Sequence, residues 1–173
     1  MLNLSGIVSD SIVDGPGIRT TIFSQGCPHH CPGCHNPETW AFGCGTLIPV
    51  EAVAEIVQSN PLCRGVTFSG GECMLYPEFI GELAEKCCRA GIQVAIDTAG
   101  NVPWSHFERL LPYVNCFLYD IKALDPQLHR TGTGSGNSLI LENLDKLILT
   151  GKTIIIRTPV IPGYNDGDEL ERI

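Results

Sequence analysis

Three cysteines crowd one short stretch, GCPHHCPGCHNPETW: Cys27, Cys31 and Cys34, spaced C-x3-C-x2-C. Thiolates bind zinc and iron–sulfur clusters, and a C-x2-C pair also serves as a redox dithiol. Three arrangements suit these residues. A zinc ion would recruit His29, His30 or His35 as its fourth ligand. A redox pair would use Cys31 and Cys34 and leave Cys27 idle. A [4Fe–4S] cluster held by three thiolates would keep one iron open. Closed zinc sites usually pair two knuckles, and here there is one knuckle plus an extra cysteine.

The elements that must position these groups are legible in outline. RTTIFSQ, residues 19–25, is rich in β-branched residues and predicts a strand running into the cysteine loop. Residues 51–58 predict a helix after Pro49. GVTFSGGE, 65–72, predicts a short strand ending in a glycine pair. A helix over 77–90 starts on Pro77 and stops at Gly91. A strand in IQVAIDTAG, a helix over 103–111, a strand in NCFLYDIK, a helix over 138–150 and a strand in KTIIIRTPV complete the series. The last helix places Ile140, Leu144, Leu147 and Ile148 on one face.

Alternating strands and helices predict an α/β fold with a mainly parallel sheet, wound open or as a partial (β/α) barrel. In either form ligands gather at the C-terminal strand ends. Cys27 follows the first strand, and Gly70, Gly71 and Glu72 end the second. Asp97 and Thr98 end the third, Asp120 and Lys122 the fourth, and Arg157 the fifth. Reactive groups at one edge of five strands point to a single site. The final DGDELERI predicts the opening of a helix capped by Asp166 or Asp168. No room is left for a sixth strand, so the fifth is expected at a sheet edge, in a truncated chain or in one whose edge a partner covers.

Residues 1–173 are expected to form one domain. The formal charge of −8 argues against broad binding to nucleic acid or an anionic membrane. No transmembrane span or secretory signal is expected. Nine cysteines, an odd number without an export signal, argue for metal or redox chemistry in a reducing cytoplasm rather than a disulfide framework.

VDGPGIRTTIFSQGCPHHCPGCHNPETW resembles the corresponding segment of the glycyl-radical-enzyme activating enzymes, a group of the radical S-adenosylmethionine (radical SAM) superfamily that includes the pyruvate formate-lyase activases. SGGE at 69–72, DTAG at 97–100, YDIK at 119–122, HRTGTGSGNSLILEN and IIIRTPVIPGYND resemble further elements of that group, in the same order. Three departures stand out: Gly33 occupies a position that is commonly aromatic, the ferredoxin-like insert of some activases is absent, and the C-terminal strand and helix of the usual fold are expected to be missing.

The resemblance implies that Cys27, Cys31 and Cys34 hold a [4Fe–4S] cluster whose open iron is chelated by the methionyl amine and carboxylate of SAM. Reductive cleavage would give methionine and a 5′-deoxyadenosyl radical, which takes a Cα hydrogen from a glycine of a partner glycyl radical enzyme. Gly70 and Gly71 would let the backbone approach the methionyl amine, and Glu72 would anchor it. Lys122 and Arg157 would hold the carboxylate. His35 and Asn36 would touch the adenine. Asp97, Thr98 and Asp120 would hold polar groups at the same edge or a monovalent cation. Asp14, Gly15 and Arg19 would receive the partner's glycine loop. Flavodoxin or ferredoxin would supply the electron. An activase of anaerobic ribonucleotide reductase and a zinc-stabilised binding module without catalysis remain the competing readings.

The other cysteines read as structural. Cys87 and Cys88 are expected on the apolar face of their helix, and Cys63 and Cys116 in the core. Cys73 is expected to be a spectator, and Cys44 a loop residue. His29 and His30 read as solvated. TGTGSG lacks the lysine of a phosphate loop.

Overall fold

The computed structural model describes residues 1–173. Seven strands form one sheet in the order β3-β1-β2-β4-β5-β6-β7. They are β1 Leu2–Ser11, β2 Arg19–Ser24, β3 Thr46–Ile48, β4 Gly65–Gly70, β5 Gln93–Thr98, β6 Cys116–Asp120 and β7 Thr153–Arg157. The helices are α1 Val50–Ser59, α2 Pro77–Arg89, α3 Trp104–Leu110, α4 Pro126–Thr133, α5 Ser138–Ile148 and α6 Asp168–Arg172. Strands β2, β4, β5, β6 and β7 are parallel neighbours. β1 runs antiparallel to β2 and β3. The sheet is a barrel wall left open, with β3 and β7 as its edges. No helix is long and apolar enough to cross a membrane.

The two faces of the sheet follow from the two-residue period of a strand. Val66, Phe68, Val94, Ile96, Phe117 and Tyr119 alternate onto one face. There they pack against Val53 and Val57 of α1, Ile80 and Leu83 of α2, Phe107 of α3 and Leu147 of α5. Ala95, Cys116 and Leu118 form a small apolar patch on the other face. Thr67, Ser69, Asp97 and Asp120 share that face by the same alternation. The helices thus cover one face, and the polar face is free to build a site.

The five parallel strands and the helices between them agree with the sequence reading, and β7 is an edge as expected. Three elements escaped it. β1 and β3 are short of continuous apolar residues, and their antiparallel pairing is long-range. α4 carries Gly132 and two threonines, poor helix formers. It is held by its ends: Asp125 accepts from Gln127 N and Leu128 N, Pro126 opens it, and Gly134 closes it at φ +86. The cap of α6 is Gly167, one residue before Asp168 and one after Asp166.

Two residues sit where the sequence reading did not put them. Cys88 is exposed while Cys87 is fully buried, because adjacent helical positions point about 100° apart. Arg19, expected to meet a partner, is 1% exposed. It lies across Gly65 on the inner face of the sheet and donates to Thr67 Oγ1 (2.7 Å), Pro16 O (2.8 Å), Val66 O (2.9 Å) and Gln93 O (3.2 Å). All those partners belong to its own sheet and the β1–β2 turn. The guanidinium is an internal strut and is not offered to another protein.

Candidate active site

The cysteine loop leaves β2 through Gly26, at φ +102. Gly26 N bonds Thr39 O (2.7 Å) and Cys27 N bonds Trp40 O (3.1 Å), so the loop closes on itself before returning to the sheet. Between Cys31 and Cys34 the chain makes a tight turn. Pro32 and Gly33 occupy its centre, Gly33 has φ +65, and Cys34 N bonds Cys31 O at 3.2 Å. Proline then glycine at positive φ is the signature of a type II turn. That accounts for Gly33: the turn needs a left-handed residue there.

The glycine pair after β4 has a similar steric origin. A Cβ on Gly71 would sit 2.2 Å from Gly26 O, and one on Gly70 would sit 2.4 Å from Ser24 N. Gly71 N bonds Ser24 O (2.9 Å) and Glu72 N bonds Gly26 O (2.9 Å). The two loop stems therefore touch backbone to backbone, and this contact alone requires glycine.

These loops enclose a cavity of about 470 Å³ over the C-terminal ends of the parallel strands. It is lined by Cys27, Cys31 and Cys34 on one side and by Gly70, Gly71, Glu72, Asp97, Thr98, Asp120, Lys122 and Arg157 on the other. His35, Asn36 and Asp14 also line it. Of the residues to which the resemblance assigns a role, Gly15 and Arg19 alone do not line it. Residues not singled out also form the wall, among them Val13, Phe23, Trp40 and Pro159.

A charged lattice crosses the floor. Asp120 and Arg157 are paired in register on β6 and β7. Arg157 donates from Nε to Asp120 Oδ1 (3.2 Å) and from Nη2 to Asp97 Oδ1. Lys122 Nζ donates to Asp120 Oδ2 at 2.7 Å, and Ser69 Oγ to Asp97 Oδ2 at 2.7 Å. Burial raises the Asp97 carboxyl, as does nearby Asp120, against the pull of Arg157. Burial opposes the charge on Lys122 and Arg157, but the carboxylates outweigh it and carry both upward. Two cations and two carboxylates balance.

Glu72 is 1% exposed and is used as a brace. Its carboxylate accepts from Met74 N (3.0 Å), Thr98 Oγ1 (2.7 Å) and Ala99 N (3.0 Å), joining the β4 and β5 loops. Burial pushes its pKa up to about 7 despite those donors. Below it Cys73 is fully buried, with its thiol 3.4 Å from both Phe68 O and Asp97 O.

His29 is buried, not solvated: the residue is 2% exposed, with Nε2 3.0 Å from Asn101 Nδ2. Burial, first of all, lowers its pKa to about 4. His30 is exposed and meets Trp40 edge-on at 5.0 Å. Asn165 also escaped the sequence reading. It is fully buried and donates to Lys122 O (2.8 Å) and Pro159 O (2.9 Å), while its Oδ1 accepts from Ile161 N (2.7 Å). It ties the Lys122 loop to the chain after β7.

The donor set fits an iron–sulfur cluster. Cys27, Cys31 and Cys34 are free, half-buried thiols on one cavity wall, and no fourth cysteine lines it. No three His, Cys, Asp or Glu side chains converge on a single point. Three thiols without a fourth cysteine suit a cluster that keeps one iron open, whereas a structural zinc site closes on four ligands. Burial pushes the Cys27 thiol up to about 12 and raises Cys31 as well, so a thiolate here needs a cation of the metal's strength beside it.

Comparison with known proteins agrees with this geometry. Residues 21–173 match the radical SAM superfamily. The pyruvate formate-lyase-activating enzyme of Clostridium pasteurianum is 37% identical over 174 residues, covering 98% of this chain and 73% of that one. The trans-4-hydroxy-L-proline dehydratase activating enzyme of Clostridioides difficile is 33% identical over 221 residues, covering 92% of this chain and 73% of its own. A crystallised domain of pyruvate-formate lyase-activating enzyme from Bacteroides vulgatus superposes with a TM-score of 0.58 at 32% identity, covering 62% of this chain and 68% of that one.

The chain belongs to the radical SAM superfamily and, within it, to the activating enzymes of glycyl radical enzymes. That membership implies a [4Fe–4S] cluster and SAM.

Proposed function

We propose that this chain installs a glycyl radical on a partner enzyme of the pyruvate formate-lyase type. The observation that carries the reading is one cavity lined by three thiols together with two cations and two carboxylates. When bound, the cluster and SAM supply one-electron cleavage of the sulfonium C–S bond, releasing methionine, and transfer of a glycine Cα hydrogen to the 5′-deoxyadenosyl carbon.

The chain's own residues bind, orient and shield. Cys27, Cys31 and Cys34 hold three irons. Lys122 and Arg157 offer cationic N–H groups to the methionyl carboxylate, with Asp97 and Asp120 fixing their directions. The backbone at Gly70 and Gly71, braced by Glu72 and Thr98, meets the methionyl amine. His35 and Asn36, just beyond the last cysteine, line the adenine side. Asp97 and Asp120 are also the groups that a monovalent cation would meet. Asp14 stands at the open rim, its carboxylate held by Ser11 Oγ (2.5 Å) and Thr21 Oγ1 (2.8 Å). With Gly15 it forms the turn over which the partner's glycine loop enters. Flavodoxin or ferredoxin supplies the electron.

The alignment lengths favour the pyruvate formate-lyase type over other activases. The match to the hydroxyproline dehydratase activase is longer than this whole chain, so that relative carries inserted residues that this chain lacks. The match to the pyruvate formate-lyase activase adds almost none. The test is to mix the reduced, cluster-loaded chain with SAM and candidate partners and to record electron paramagnetic resonance. A glycyl radical on a pyruvate formate-lyase supports the proposal. A radical on anaerobic ribonucleotide reductase alone would reassign the partner.

A further inference from the structure

His29 is a buried imidazole inside the cysteine loop, and the functional reading leaves it without a task. Its Nε2 lies 3.0 Å from Asn101 Nδ2, and its Nδ1 lies 4.0 Å from Cys27 Sγ. Asn101 Nδ2 also faces Ser135 Oγ at 3.3 Å. An amide nitrogen donates and does not accept. His29 Nε2 must then be the acceptor, since an N–H there would meet another N–H. The single proton of the neutral ring is therefore on Nδ1, directed at the sulfur of Cys27.

The loop's own ties make this placement firm. His30 N bonds Thr133 O at 3.2 Å, pinning the loop to the end of α4. His129 Nδ1 bonds Ser135 O at 2.7 Å and so fixes the segment that carries the Asn101 partner. Ser135 just past α4, the Asn101 amide and the His29 ring thus make successive contacts that end at Cys27.

We propose that His29 is a positioning residue for the cluster: its Nδ1–H donates to the Cys27 thiolate, Asn101 fixes the tautomer, and the pair raises the cluster's reduction potential. A hydrogen bond to a ligand sulfur draws off negative charge. The reduced cluster carries one more negative charge than the oxidised one, so it gains more. The effect makes the electron easier to load before SAM is cleaved. The proposal rests on the cluster reading of the site.

The test compares wild type, His29→Leu, His29→Asn and Asn101→Leu, all cluster-loaded, with iron and sulfide measured on each. Reduction is titrated electrochemically and followed by electron paramagnetic resonance. Asparagine puts an N–H where imidazole Nδ1 sits, and leucine removes it. His29→Leu is expected to lower the reduced-to-oxidised ratio three- to tenfold at a fixed potential, tenfold being about 59 mV for one electron. His29→Asn is expected to recover most of that shift, and Asn101→Leu to show part of it. An unchanged potential in a fully loaded His29→Leu protein would overturn the proposal. So would equal shifts in His29→Leu and His29→Asn, which would assign the effect to packing. If His29→Leu fails to hold its cluster, Asn101→Leu against wild type decides, and no shift there overturns the proposal. A wild-type chain that takes up neither iron nor sulfide sinks the cluster reading itself.

Discussion

Replacing Arg157 by methionine should unmask the charge on Asp97. In the native chain Arg157 is the one cation in direct contact with Asp97, whereas Asp120 keeps Lys122 at 2.7 Å. The variant thus orphans one carboxylate whose side chain is 14% exposed. Breaking a fully buried ion pair costs about 3–5 kcal/mol. Arg157 is 34% exposed, so solvent screening cuts its contribution, and Asp97 can take up a proton instead. We expect a loss of about 2 kcal/mol at pH 8 and clearly less at pH 5. The sign follows from linkage. Asp97 is raised above its ordinary value of 3.8 already, and loss of the guanidinium raises it further. The folded state then holds a proton that the unfolded state has released. Stability falls as pH rises from the unfolded pKa through the folded one. The assay is urea unfolding of the metal-free, reduced chain at pH 5 and pH 8, followed by circular dichroism. Asp97→Asn in the Arg157→Met background should recover more than half of the loss at pH 8, because no charge is left to orphan. A loss equal at both pH values, or untouched by Asp97→Asn, would refute the reasoning.

Three further outcomes are expected. Gly71→Ala should lower stability by at least about 2 kcal/mol and impair cluster loading, because its Cβ would sit 2.2 Å from Gly26 O; thermal unfolding and iron content check this. Asn165→Ala should cost about 2–3 kcal/mol in urea unfolding and weaken SAM binding measured by calorimetry, because the carbonyls of Lys122 and Pro159 lose a buried donor. Glu72, whose pKa stands at about 7 against an ordinary 4.5, should make stability decline as pH rises from about 5 to about 8, and Glu72→Gln should flatten that profile.

The site was more legible than the scaffold around it. Cys27, Gly70, Asp97, Asp120 and Arg157 each follow a β-branched or apolar run, so alternation alone puts them at strand ends. Their meeting in one cavity follows from the parallel sheet. The β1 and β3 strands were not legible, because LNLSGIVSDS shows no clean period and TLI is too short to carry one. Arg19 was misplaced for a related reason. Sequence shows a charge beside a flexible turn, but not that Gly65 on the neighbouring strand leaves room for a guanidinium to lie flat. His29 and Asn165 depend on contacts between segments distant in the chain, which local pattern does not report. Gly33 was a departure at the level of motif and became ordinary once the turn was seen.

The central claim is that three thiolates leave one iron open for SAM. The most direct measurement is electron paramagnetic resonance of the anaerobically purified, reduced chain before and after SAM is added, with iron, sulfide and zinc counted on the same sample. The account predicts about four irons and four sulfides per chain, a cluster signal that changes on adding SAM, and 5′-deoxyadenosine formation that Cys31→Ala abolishes. Stoichiometric zinc without sulfide, or a full cluster whose signal ignores SAM, would contradict it.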